Sequence, residues 1–113
     1  MKAISLKLRK FAKRRNWDQF HSPKNLACSI CVESSELLEI FQWSQGNKWS
    51  DLKDKKIRIK VEEELADILL YLLRFADKGK FDLAKAANLK LQLNAEKYPI
   101  EKSRGRDTKY TDL

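Results

Sequence analysis

The sequence predicts an all-α fold, on three observations. Breakers are scarce: the 113 residues include three Gly and two Pro, so long uninterrupted elements are expected. Leu, Lys, Ala and Glu dominate, and all four favour helix. Apolar residues recur at helical spacing, and no strand-like alternation or internal repeat stands out.

The elements follow in order. About residues 4–15, Ile4, Leu8 and Phe11 recur among basic residues, which reads as a short amphipathic helix. A connection rich in aromatics follows, Asn16-Trp17-Asp18-Gln19-Phe20-His21. Ser22-Pro23 then starts a second helix: Ser accepts an orphan amide at the N-cap, and Pro at the first helical position has no amide to lose. That helix is expected to run to about Gln45, where Gly46-Asn47 ends it. The polar stretch through Lys56 is a loop, or a helix beginning near Ser50-Asp51. A third helix covers about residues 57–76 and stops near Lys78-Gly79-Lys80. Asp82 caps a fourth, which continues to Lys97 and ends before Pro99. The charged tail, residues 101–113, is expected to be extended or weakly ordered. Four main helices in one domain, residues 1–113, form a bundle, with the two long ones packed antiparallel.

The net charge of +8 suits an anionic partner, nucleic acid or free nucleotide, without choosing between them. No apolar run approaches the roughly 20 residues that span a bilayer, and Met1-Lys2-Ala3-Ile4-Ser5-Leu6-Lys7 lacks a secretory h-region. A cytoplasmic protein with no membrane partner is expected. Cys28 and Cys31 have C-x-x-C spacing, but mid-helix and outside any βαβ pattern, so they read as small packing residues. His21 is the single histidine. No Ser/His/Asp set, Walker loop, G-x-G-x-x-G or EF-hand pattern can be assembled.

Chemistry concentrates in two acidic pairs. Glu33-Ser34-Ser35-Glu36 lies in the second helix and Glu64-Leu65-Ala66-Asp67 in the third. Residues three apart share a helix face, and like charges there repel. Both pairs sit in apolar sequence, where a carboxylate needs compensation. Two antiparallel helices would bring the four acids together, and a divalent cation would neutralise them. Oxygen-only donors favour Mg2+, with Mn2+ as a possible substitute, and such an ion normally also binds substrate phosphates. Spacing alone leaves this reading open beside solvated surface pairs. Trp43 lies seven residues after Glu36 and Tyr71 four after Asp67, so each aromatic extends an acidic face, as stacking partner for a base or as core.

These residues resemble the all-α MazG-like nucleotide pyrophosphohydrolases, most closely the dCTP pyrophosphatase branch. The similarity runs through Arg15-Asn16-Trp17-Asp18-Gln19-Phe20-His21-Ser22-Pro23, Glu33-Ser34-Ser35-Glu36-Leu37-Leu38-Glu39 to Trp43, Glu63-Glu64-Leu65-Ala66-Asp67 to Leu72, Lys97-Tyr98-Pro99 and Lys109-Tyr110-Thr111-Asp112. The resemblance implies a MazG-like helical bundle assembled as a homotetramer. It implies hydrolysis of a dNTP, dCTP or a related pyrimidine nucleotide, between the α and β phosphates to dNMP and pyrophosphate. Glu33, Glu36, Glu64 and Asp67 fall on its Mg2+ ligands. Trp17, Asp18, Gln19, Phe20, His21, Trp43 and Tyr71 fall on its substrate contacts, with Trp17, Phe20, Trp43 and Tyr71 as an aromatic cage. Glu33, Glu36 and Glu39 form the catalytic set, with Glu36 and Glu39 alternatives for the general base. Lys90, Asn94 and Lys97 share a face of the fourth helix, and the resemblance turns that stripe from a solvated basic face into a phosphate grip. Val32 stands before Glu33 where the wider family has an acid, serines stand where relatives carry glycine, and Leu8 stands where the branch has a histidine. The other class of function is a basic helical module binding nucleic acid or a protein without catalysis; the enzyme reading expects no nucleic-acid partner.

Overall fold

The computed structural model describes residues 1–43 and 46–113. They contain five α-helices: α1 (Lys2–Arg14), α2 (Pro23–Ile40), α3 (Lys55–Gly79), α4 (Leu83–Lys97) and the four-residue α5 (Ile100–Ser103). Three short 3₁₀ turns, Asp18–Phe20, Trp49–Lys53 and Tyr110–Asp112, complete the order, and no strand occurs among the described residues. The chain divides into two compact units, Met1–Lys80 and Phe81–Leu113.

Local sequence sets the helix starts. The Ser22 hydroxyl accepts the Asn25 amide at 3.1 Å, and Pro23 opens α2. Asp54 starts α3 by accepting the Lys56 amide at 2.9 Å. Asp82 caps α4 through the Lys85 amide at 3.0 Å. At the other end of α3, Lys80 takes the left-handed conformation (φ 57°) and returns its amide to the Ala76 and Asp77 carbonyls.

In the first unit, α2 and α1 both pack on α3. The pairings across α2 and α3 run in opposite directions: His21, just before α2, meets Arg74, while Glu33 meets Glu64 further along. The two helices are therefore antiparallel, as expected. Ala12 of α1, Leu26 of α2 and Leu73 and Ala76 of α3 are the buried apolar residues, and Leu26 is 2% exposed. Arg74 lies buried among them.

Three expectations need correction. The second helix stops at Ile40, not near Gln45; Ser44 and Gln45 themselves lie outside the described residues. The Phe41 and Gln42 amides turn back to the Leu38 and Glu39 carbonyls at 3.0 and 3.1 Å, which tightens and ends the helix. Gly46 then passes over the Phe41 ring, where an added Cβ would stand 2.7 Å from Cδ1. Cys28 and Cys31 are exposed free thiols, not packing residues. The tail is not simply extended. It forms α5 and the last 3₁₀ turn, and the Tyr110 ring meets Tyr98 edge-on at 6.0 Å between centroids.

No helix among the described residues is long and apolar enough to cross a membrane.

Candidate active site

The first unit gathers carboxylates on the packed faces of α2 and α3. One oxygen each from Glu33, Glu64 and Asp67 falls within 4.8 Å of the others. All three residues are half-buried. Oε2 of Glu33 and Oε2 of Glu64 are buried with no hydrogen-bond partner among the described residues. An orphaned buried carboxylate oxygen is costly, so the cluster calls for a proton or a cation. Burial and the surrounding carboxylates of Glu36, Glu64 and Asp67 push the Glu33 carboxyl up to about 7. Glu64 is also raised, by burial and by the Glu36 and Asp67 charges, with Glu33 acting against the rise. Glu36 is exposed and lies outside the tight group of three, yet its charge acts on both Glu33 and Glu64.

The cluster borders two depressions of different character. Asp67 lines a mainly apolar cavity of about 220 Å³, walled by Leu8, Phe11, Ala12, Trp17, Leu70 and Tyr71 and closed by His21 and Arg74. Glu64 and Glu36 line an open hollow of about 500 Å³ with Glu39, Glu63, Lys60, Ile40 and Ile57. Carboxylates therefore stand between an aromatic pocket and an acidic hollow.

Expected site residues divide as follows. Trp17, His21 and Tyr71 line the apolar cavity, while Glu36 and Glu39 line the acidic hollow. Asp18 instead pairs with Arg74, and its backbone carbonyl accepts from Lys78 at 3.2 Å. Gln19 donates its amide to the Asn16 carbonyl at 3.0 Å. Phe20 is exposed and does not line the cavity. Trp43 is 91% exposed and lies beyond the end of α2, so the helical spacing that joined it to Glu36 does not hold. The structure thus brings together two of the four expected cage aromatics, Trp17 and Tyr71, and adds Phe11, whose ring meets Trp17 edge-on at 5.6 Å. Lys90, Asn94 and Lys97 all lie on α4, in the second unit. The Lys97 ammonium sits 4.8 Å from the centroid of the Tyr110 ring.

Arg74 is the residue that sequence reasoning missed. Its Nε donates to Nδ1 of His21 at 3.0 Å, its guanidinium pairs with Asp18, and Nη1 stands 3.7 Å from Asp77. Asp77 in turn takes a bidentate contact from Arg9 of α1 at 2.6 and 3.1 Å. A signal existed. Asp67, Tyr71 and Arg74 follow i, i+4, i+7 spacing, so the one basic residue in Leu72-Leu73-Arg74-Phe75-Ala76 continues the acidic face.

Oxygen donors set between antiparallel helices and short of counter-charge define a candidate hard-cation site on a helical scaffold. The chain belongs to the MazG-like family, whose model matches residues 28–113. It is 41% identical over 104 residues to dCTP pyrophosphatase 1 of Rattus norvegicus and 38% identical over 104 residues to that of Homo sapiens. Those matches cover 91% of this chain but 61% of each relative, so the chain spans about three fifths of their length. A pyrophosphatase of Archaeoglobus fulgidus, known from a crystal structure, is similar at a TM-score of 0.80 and 42% identity, over 88% of this chain and 92% of that one.

Proposed function

We propose that the protein is a nucleoside triphosphate pyrophosphohydrolase, acting on dCTP or a related pyrimidine dNTP to give the monophosphate and pyrophosphate. The observation that carries this is the convergence of Glu33, Glu64 and Asp67 beside a cavity walled by Trp17 and Tyr71. Similarity to the rat and human dCTP pyrophosphatases and to the archaeal pyrophosphatase supports it.

The donor set fits Mg2+, with Mn2+ as a substitute. The donors are oxygens, two of them lack partners, and the protonation they favour shows a deficit of positive charge. Glu33, Glu36, Glu64 and Asp67 are the proposed ligands. When bound, the ion supplies charge neutralisation at the phosphoryl oxygens. The chain's residues do the rest. Trp17 and Tyr71 flank the base, where stacking is worth roughly 1–3 kcal/mol, and His21 contacts it. The proposed substrate set also keeps Asp18, Gln19, Phe20 and Trp43. Glu36 or Glu39, both on the open acidic hollow, takes the proton from the water that attacks the α-phosphorus. Lys90, Asn94 and Lys97 are the proposed grip on the β and γ phosphates.

A homotetramer is proposed as the working form. Leu38, Leu89, Leu91 and Leu93 are at least half exposed, and no residue of α4 is buried, which leaves apolar surface for self-association. Light scattering at micromolar concentration tests this: a stable, active monomer contradicts it. A cytoplasmic location and a single domain over residues 1–113 complete the proposal.

The test of function is pyrophosphate release across a dNTP panel with and without Mg2+. Release that needs Mg2+ and favours a pyrimidine dNTP is expected. Salt-sensitive binding to DNA or RNA without turnover is the result of the competing class and would overturn the enzyme.

A further inference from the structure

We infer that Arg74 is a positioning residue: it fixes His21 as the tautomer protonated on Nε2, so that the histidine offers a hydrogen-bond donor to an acceptor atom of the bound base. The donor's role rests on the nucleotide reading above; the tautomer itself does not.

The chemistry of the pair is restrictive. A guanidinium has five donors and no acceptor. The ring nitrogen it meets must therefore carry a lone pair. Arg74 Nε donates to His21 Nδ1 at 3.0 Å, so the ring is neutral and its proton lies on Nε2. Nδ1 is occupied, His21 lines the cavity beside Trp17 and Tyr71, and Nε2 is the ring nitrogen left for a ligand. The Trp17 ring meets His21 edge-on at 6.4 Å between centroids, a further contact on the ring.

Arg74 is itself firmly placed. It is 5% exposed and lies between Asp18, on the turn that carries His21, and Asp77 of its own helix. Arg9 of α1 holds Asp77 from the far side. Burial, then the Arg74 and Lys78 charges, hold His21 below the ordinary histidine range, and Asp18 opposes them. This order of effects agrees with a ring kept neutral. A neutral donor suits a carbonyl oxygen or a lone-pair nitrogen of a pyrimidine. It does not suit an exocyclic amine, which needs an acceptor.

Because His21 is the single histidine, a long-range 1H–15N spectrum of the 15N-labelled full chain contains one imidazole. The expected result is a pyridine-like Nδ1 and a pyrrole-like Nε2 at neutral pH and above. A proton on Nδ1, or the ordinary mixture titrating at the ordinary histidine pH, overturns the inference without any variant. Adding dCMP should shift the Nε2–H resonance together with the Trp17 indole. A Trp17 shift with Nε2–H unmoved overturns the donor role. If neither moves and no dNTP is turned over, the nucleotide reading fails and takes the donor role with it, while the tautomer stands on the first spectrum. Arg74→Met should release the ring to a mixture and raise KM for dCTP by about three- to tenfold with kcat little changed, the size of one neutral hydrogen bond. A folded Arg74→Met protein with the wild-type tautomer overturns the positioning role. His21→Gln keeps an N–H donor near the Nε2 position, so KM should stay within about threefold of wild type; a loss as large as that of His21→Ala contradicts a donor.

Discussion

Two groups of charges lie on α3 two turns apart and obey opposite rules. Around Arg74 opposite charges are paired: Asp18 and Asp77 face Arg74, and Arg9 faces Asp77. Around Glu64 and Asp67 like charges meet, and two buried oxygens have no partner among the described residues. The first group ties α1 and the Asp18–Phe20 turn to α3. The second works against packing in the cation-free protein. Balanced charge ties the scaffold together, and unbalanced charge marks the proposed cation site.

The largest effects separate the two groups. Glu64→Gln should reduce pyrophosphate release by at least about a hundredfold, the scale on which metal sites respond to lost support. Its melting temperature without divalent cations should match or exceed that of wild type, because a repulsive member is gone. Near-normal turnover, or clear destabilisation, would break the contrast. Arg74→Met should do the reverse to stability. Removing one side of a fully buried charge pair costs about 3–5 kcal/mol; the Asp18 left behind is half exposed and regains water, so a smaller loss of about 2 kcal/mol of urea stability is expected.

A medium effect lies in pH. The Glu33 carboxyl rises to about 7 in the folded chain, above its ordinary 4.5, so the folded state binds the proton more tightly than the unfolded state. Its stabilising contribution is complete below the unfolded value and is lost as pH rises through about 7. The cation-free protein should therefore melt lower as pH rises from about 5 to about 8. His21 is lowered and contributes with the opposite sign, so His21→Gln is the background in which to measure the carboxylates. Saturating Mg2+ should cancel the fall, since the cation replaces the proton. A melting temperature that climbs over this range without cation contradicts the crowding. A smaller effect is expected at the cap: Ser22→Ala should cost about 1 kcal/mol in urea, with kcat unchanged. The smallest is Arg9→Ala. Its guanidinium is largely solvent-exposed, so the melting temperature should barely move, and the change should vanish at high salt.

The same contrast explains what the sequence could tell. Acidic pairs at i, i+3 spacing were legible because helix geometry alone puts their members on one face, and antiparallel packing then joins the two faces. The caps at Ser22 and Asp82 were legible because a short polar side chain beside a helix start acts locally. The end of α2 was not. Gly46-Asn47 is a strong stop signal, but the chain turns earlier, at Phe41, where amides close on carbonyls three residues back. Trp43 left the acidic stripe for that reason. Arg74 was hidden because its partners come from residues far apart in the chain, Asp18 at 56 residues and His21 at 53. A lone charge in an apolar run states that a partner exists, not which one.

On the proposed function, the unbalanced carboxylates bind a divalent cation. Titration with Mn2+, followed by electron paramagnetic resonance on the wild-type chain and on Glu64→Gln, tests it most directly. Saturable binding to the wild type, displaced by Mg2+ and much weakened in Glu64→Gln, is the result expected. Equal Mn2+ binding by both proteins, or none by the wild type, would contradict it.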